Sequence, residues 1–367
     1  MNPIMEAAER FKPNGRIVGV QEYGGGNVHD TFLVTLDAGE PHFILQRMNT
    51  SVFRKPEEVM ENMRLVIEHV LYRLESASLP SGCRFELPRV LSTAEGCEYW
   101  LNGDGSFWRA MSFVRGTESF DTIRNESHAR EVGWALGIFH SLISDLPVER
   151  LFDTLEGFHE TPRYLRRYDA VLSRAGSAGS IHSPETGYCL AFVNRRRASA
   201  GAIEEARGRG ELSLRPIHGD PKVSNVLMDT STGRAVSLID LDTVKPGLVH
   251  YDIGDCLRSC CNPLGEETTR WESVGFDTDL CRIILKGYLS QVKGFFTSCD
   301  YEYLFDAVRL IAFELGLRFF TDYLEGNVYF KVRYPEHNLA RALVQFKLAE
   351  SVELQEGAIR AIIRDLR

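Results

Sequence analysis

Ile217-His218-Gly219-Asp220-Pro221-Lys222-Val223-Ser224-Asn225-Val226-Leu227-Met228, followed by Ser237-Leu238-Ile239-Asp240-Leu241-Asp242, sets a cluster of polar groups between two apolar runs. Val226 to Met228 and Val236 to Ile239, joined through Asp229, Thr232 and Gly233, have the pattern of a β-hairpin. Such a hairpin puts Asn225 just before one strand and Asp240 just after the other, close in space. Asp220, five residues before Asn225, faces the same point from a loop.

These residue types suit phosphoryl transfer, a reaction in which a protein mainly positions reactants and neutralises charge. Asp220 is the candidate for orienting and deprotonating an attacking hydroxyl. Asn225 and Asp240 offer the hard oxygen ligands that magnesium prefers, with Asp242 completing the metal's surroundings. Lys222, two residues after Asp220, supplies a mobile positive charge for the transferring group.

Outward toward the N-terminus, Ile17 to Val34 alternates apolar runs around Gly24, Gly25 and Gly26, as strand, tight turn and strand. Phe43 to Met48 reads as the next strand. Pro56 takes a first helical position, and Val59, Met63, Val66, Ile67, Val70, Leu71 and Leu74 follow at helical spacing. Short strands are expected around Val90 to Leu91, Cys97 to Leu101 and Trp108 to Val114. Residues 1–113 therefore form a small β-rich unit carrying one helix. Residues 114–367 read as mostly α, with Val132, Leu136, Phe139 and Ile143 on one face, a helical stretch from Tyr164 to Leu172, and one mixed-charge helix over Arg195 to Arg209. Gly176 to Gly187 reads as a loop.

A chain of 367 residues exceeds what one core usually organises, so two packed units with a ligand-holding cleft are expected. The formal charge of -9 argues against nucleic acid or an anionic membrane as partner. Met1 to Gly15 lacks the apolar segment of a secretory signal, and no later stretch has the roughly 18 apolar residues of a membrane span. The eight cysteines lack metal-site or secreted-framework spacing, so reduced thiols and a cytoplasmic setting are expected.

The segment from His218 to Asn225 resembles the His-x-Asp-x-Lys-x-x-Asn catalytic loop of protein kinases. With Ile239-Asp240, it resembles still more the His-Gly-Asp-x-x-x-x-Asn and Ile-Asp motifs of aminoglycoside phosphotransferases and choline kinases. That resemblance implies an α+β, protein-kinase-like two-lobed fold using ATP and Mg2+, with a β-rich N-lobe for nucleotide and a larger α C-lobe for catalysis and substrate. Backbone groups of Gly24-Gly25-Gly26-Asn27 are then expected near the phosphates, and Met111, within the crossover Trp108 to Val114, near adenine. The strand Phe43-Ile44-Leu45-Gln46-Arg47-Met48 has no counterpart of the kinase strand lysine, which leaves Arg47 or Gln46 to meet phosphate.

Four segments are similar to one branch, the anomeric sugar kinases related to N-acetylhexosamine 1-kinase: Gly24 to Thr31, Phe43 to Asn49, Ile239 to Gly247, and Arg318 to Phe330. The similarity implies that Arg318, Tyr329 and His29 contact a hexose while Asp220 addresses its C1 hydroxyl, giving a sugar 1-phosphate. Kinases of aminoglycosides or amino alcohols, and a silent pseudokinase, are the alternatives. The expected partner is a small sugar, the expected state a monomer or weak homodimer. Asp252, Asp255, His140 and His218 are expected to brace structure rather than react.

Overall fold

The computed structural model describes residues 2–11, 15–24, 28–37, 42–76, 82–175 and 183–367. The chain divides into two compact units, Met1–Thr117 and Glu118–Arg367.

The first unit holds a six-stranded antiparallel sheet in which Ile17–Glu22, Asp30–Leu36, Phe43–Arg47, Phe107–Ser112 and Val90–Leu91 lie side by side, and Trp100–Leu101 also pairs with Phe107–Ser112. The helix anticipated from Pro56 runs over Pro56–Ser76 and buries Val59, Met63, Val66, Ile67 and Val70. A second helix, Pro3–Phe11, lies outside the expectation of a single one. It is short and interrupted by charge, but its Ala7, Ala8 and Phe11 share a stripe that joins the core with Phe32, Val34, Phe43, Leu45 and Trp108.

The second unit is helical around the hairpin Val226–Asp229 and Ala235–Leu238. Helix Glu126–Ile143 packs tightly on Thr278–Leu289: a β-carbon on Gly133 would stand 2.1 Å from the Ile284 carbonyl oxygen. Helix Leu304–Leu324 packs against Val249–Cys260 and His337–Leu354 and is buried along most of its length. The expected single helix over Arg195 to Arg209 is instead the end of Pro184–Arg196, a short turn Arg197–Ser199 and a separate helix Ala202–Gly208. Gly201 precedes that last helix, and glycine holds a helical backbone poorly. Within this stretch Arg196 pairs with Glu353 and Arg197 with Asp169. Residues 176–182 of the expected loop lie outside the described residues. Ser183 caps the helix after them through Thr186.

Cys256, Cys260 and Cys261 are buried and unbridged. Among the described residues no helix is long and apolar enough to cross a membrane.

Candidate active site

Strand Arg215–Ile217 pairs with Lys245–Gly247 and delivers the chain into the His218 to Asn225 loop. At its far end the Asn225 carbonyl accepts the Ile239 N–H at 2.9 Å, which brings Asn225 and Asp240 alongside each other across the hairpin. Asn225 Nδ2 donates to the Asp220 carbonyl oxygen at 2.8 Å and to Asp220 Oδ2 at 3.3 Å. Lys222 Nζ donates to Asp220 Oδ2 at 2.8 Å. The structure thus gathers Asp220, Lys222, Asn225 and Asp240, all from one stretch of chain. Asp242 is buried beside them in sequence. Asp240 has a left-handed backbone, φ 68°. In a residue bearing a β-carbon this costs roughly 1–2 kcal/mol, a strain characteristic of functional positions.

Two residues fix this loop from behind. Asp252, fully buried in helix Val249–Cys260, accepts the N–H groups of His218 at 2.7 Å and Gly219 at 2.8 Å, and also His140 Nε2 at 2.7 Å. Burial alone would raise its carboxyl pKa, but the His140 bond and the charges nearby hold it below the ordinary range. His218 donates from Nε2 to the Ile239 carbonyl at 3.0 Å and accepts the Asp220 N–H at Nδ1, 3.3 Å away. Gly219 has φ 88°, and a β-carbon there would stand 2.6 Å from the Thr243 carbonyl oxygen. Only glycine fits. His140 completes the frame through Tyr288 Oη at 2.9 Å, and Asp255 is held by Arg258 at 2.8 Å.

Magnesium fits this donor set. Among the described residues there is no trio of His, Cys, Asp or Glu that would cage a metal. One amide oxygen and one carboxylate are what a magnesium ion takes when phosphates and water fill its remaining positions. With Nδ2 of Asn225 committed to Asp220, its Oδ1 is the arm left to face a cation.

Arg318 and Tyr329 also meet, at a cavity of about 280 Å³ within the second unit, lined also by Arg163, Tyr164, Arg167 and Phe330. The Arg318 guanidinium lies over Phe158, Tyr164 and Phe330, with its carbon 5.0, 5.2 and 5.5 Å from the ring centres. Asp322 touches the cavity with both carboxylate oxygens in use. Oδ1 accepts the N–H groups of Val328 and Tyr329 at 3.0 and 2.8 Å, and Oδ2 accepts those of Phe330 at 3.0 Å and Asn338 Nδ2 at 2.9 Å. Asp322 therefore shapes the segment that presents Tyr329 and Phe330.

In the first unit, Gly24 has φ 76° with open space where a β-carbon would lie. Gly25, Gly26 and Asn27 fall outside the described residues. His29 accepts the Asn49 N–H at 3.0 Å and packs on Phe53. Met111 pairs with Ile44 in the sheet. Arg47 binds Asp30 Oδ2 at 2.6 Å and lies over Trp108, on the face that carries Phe43 and Leu45. Gln46, on the opposite face by strand alternation, accepts from Nε and Nη2 of the buried Arg109 at 3.0 and 2.7 Å. Arg109 went unnoticed in the sequence because it sits within the apolar run Phe107 to Val114. So did Glu314 and His159 in the second unit. A lone glutamate inside the apolar stretch Leu310 to Leu317 was the available signal for Glu314, and His159 had none.

The family model for the phosphotransferase enzyme family, APH, matches residues 19–272. Among solved structures, an aminoglycoside phosphotransferase from Alicyclobacillus acidocaldarius is 17% identical over 99% of this chain and 95% of that one, with a TM-score of 0.60. The microcompartment-associated aminopropanol kinase is 17% identical over 97% of each chain, with a TM-score of 0.65. Spectinomycin phosphotransferase in complex with ADP and spectinomycin is 12% identical over 94% of each, with a TM-score of 0.54. At these identities the likeness is one of fold: a β-sheet N-terminal unit and a helical C-terminal unit of protein-kinase-like type.

Proposed function

Since this chain belongs to the phosphotransferase enzyme family, an ATP-using group that phosphorylates hydroxyl acceptors, we propose that its acceptor is the C1 hydroxyl of an N-acetylhexosamine or related hexose. The observation that carries the reading is the charge of the cavity around Arg318. Aminoglycosides and amino alcohols are cations, and a site for them needs available carboxylates. Here Asp322 is consumed by backbone and amide N–H groups, Glu156 is paired with Arg163 at 3.1 Å, and three arginines and three aromatic rings make up most of the wall. Guanidinium donors and aromatic faces suit a neutral polyol, whose hydroxyls accept and whose C–H faces stack.

In this reading Asp220 accepts the proton of the C1 hydroxyl as its oxygen bonds to the γ-phosphorus, and the bond from that phosphorus to the bridging oxygen of ADP breaks. A hemiacetal hydroxyl is more acidic than an ordinary alcohol, so one carboxylate suffices. Lys222, already beside Asp220, offsets negative charge gathering on the transferring group. Asn225 and Asp240 would hold magnesium, which when bound neutralises phosphate oxygens. In the first unit, backbone groups around Gly24 and of Met111 are assigned to nucleotide. For the strand position that meets phosphate, Arg47 and Gln46 are the candidates, Arg47 beside Asp30 and Gln46 beside Arg109.

The test is ADP release with Mg2+ and ATP against free hexoses, N-acetylhexosamines, their C1-blocked glycosides, aminoglycosides and choline, with Asp220→Asn as control. Turnover of reducing sugars that vanishes with blocked glycosides supports the reading. Turnover of cationic acceptors alone overturns it.

A further inference from the structure

The contacts of His159 join the loop that carries Asp220 to the arginine of the acceptor cavity. Its Nε2 stands 2.7 Å from the Gly219 carbonyl oxygen, an atom that can only accept. Its Nδ1 stands 3.1 Å from Glu314 Oε1, and Thr161 Oγ1 donates to Glu314 Oε2 at 3.2 Å. Arg318 Nη1 lies 4.0 Å from the same Oε1. Oε1 thus faces a guanidinium, which can only donate, and is placed to accept from Nδ1. Both nitrogens of His159 must then donate, which makes the ring an imidazolium, even though His159 and Glu314 are only 4% and 1% exposed. The backbone of His159 is left-handed, φ 67°, a conformation that in a non-glycine residue marks a side chain aimed by its surroundings.

We infer that His159 and Glu314 form a charged positioning pair that holds Gly219, and with it Asp220, in register with Arg318. The inference rests on the cavity around Arg318 being the acceptor site. Neither residue touches the reacting atoms in that scheme. The other groups facing the ring are Phe158 and Tyr251, with centroids 4.0 and 5.4 Å away, and the carboxylate of Asp255, whose charge also favours the imidazolium. Tyr251 in turn donates to Glu204 at 3.0 Å. Burial opposes the charged ring and is the largest single influence, but Glu314, the Gly219 carbonyl and Asp255 together outweigh it, so the pKa of His159 lies above the ordinary histidine value. His159 therefore stays protonated to higher pH than an ordinary histidine, and its charge is lost as the pH rises through that raised pKa.

The experiment reads the ring and the rate separately on the full chain. In nitrogen-15 NMR, both ring nitrogens of His159 should be protonated at neutral pH, and Glu314→Gln should return the ring to a neutral tautomer. With ATP, Mg2+ and N-acetylglucosamine, Glu314→Gln should lower kcat by about 10²-fold, the scale of a misplaced catalytic group, with KM changed far less, and should shift the basic limb of the pH profile. Glu314→Asp should recover part of kcat. A neutral His159 in the native protein, or a folded Glu314→Gln variant with native kcat, overturns the pair. If the native protein phosphorylates no reducing sugar, the acceptor reading fails while the NMR result still decides the pair.

Discussion

Lys222 Nζ and Asp220 Oδ2 lie 2.8 Å apart, a lysine and the carboxylate two residues before it folded into one contact. Burial by itself would push the Asp220 carboxyl up, but the Lys222 ammonium, with His218 and Arg258 behind it, holds it below the ordinary range. The Lys222 ammonium is in turn held above its ordinary value, its burial outweighed by Asp220 and Asp240. Asp220 therefore stays ionised through mildly acidic pH. The acidic limb of kcat/KM should fall below the pKa of about 3.9 of a free aspartate. Lys222→Met should move that limb upward, because desolvation then acts unopposed. Asp220→Asn should lower kcat by about 10²–10⁴-fold, the range for a general base. A pH-rate series on the three proteins checks all of this, and an unmoved limb in Lys222→Met would contradict the assignment.

Asp252 should matter for stability as much as for rate. Replacing it with asparagine removes a buried charge that receives His218, Gly219 and His140. It also turns an amide donor toward one of those donors. The expected loss is about 3 kcal/mol, in the range for breaking a buried charged network. Because its folded pKa is depressed, Asp252 contributes stability above the unfolded aspartate pKa, and the contribution fades as pH falls through the folded value. Denaturant melts of native protein and Asp252→Asn at neutral and acidic pH should converge as the pH drops.

The parts of the site legible in the sequence are those whose geometry is local. From His218 to Asp242, a loop and a hairpin fix the positions of Asp220, Asn225 and Asp240 within one short stretch, so spacing alone could place them. Helix Pro56–Ser76 was equally readable from its periodicity. Arg318 and Tyr329 were found through a family likeness, since an arginine and a tyrosine eleven residues apart say nothing by themselves. The role of Asp322 depends on a chain reversal that brings Val328 to Phe330 back over it, and His159 reaches Gly219 across 60 residues. Contacts of that span leave no periodic trace. The break near Gly201 and the helix Pro3–Phe11 were missed for the opposite reason: each turns on a few small residues whose weak local preference is decided by packing.

Arg318 is expected to be intolerant of lysine. Its guanidinium lies against three aromatic rings, 5.0 to 5.5 Å from their centres, and a lysine ammonium offers neither the plane to stack nor the fork of donors. Arg318→Lys should raise KM for the sugar acceptor by roughly tenfold, about 1.4 kcal/mol, with KM for ATP unchanged. Initial rates with each substrate varied in turn separate the two. Equal effects on both constants would place Arg318 outside acceptor binding.

Asp322 gives the sharpest test of how the cavity wall is built. Its carboxylate accepts the N–H groups of three successive residues, Val328, Tyr329 and Phe330, and Asn338 Nδ2 besides. Asparagine preserves the shape but keeps only one acceptor oxygen, so its NH2 meets a backbone N–H or the Asn338 amide. Losing charge-assisted bonds of this kind costs roughly 1.5–3 kcal/mol. That loss should fall on the segment that presents Tyr329 and Phe330, not on the Asp220 loop. Asp322→Asn should therefore raise acceptor KM by at least about tenfold while kcat at saturation changes little, the signature of lost uniform binding. A large fall in kcat at unchanged KM would mean that Asp322 serves the catalytic loop instead, and the cavity would have to be reassigned.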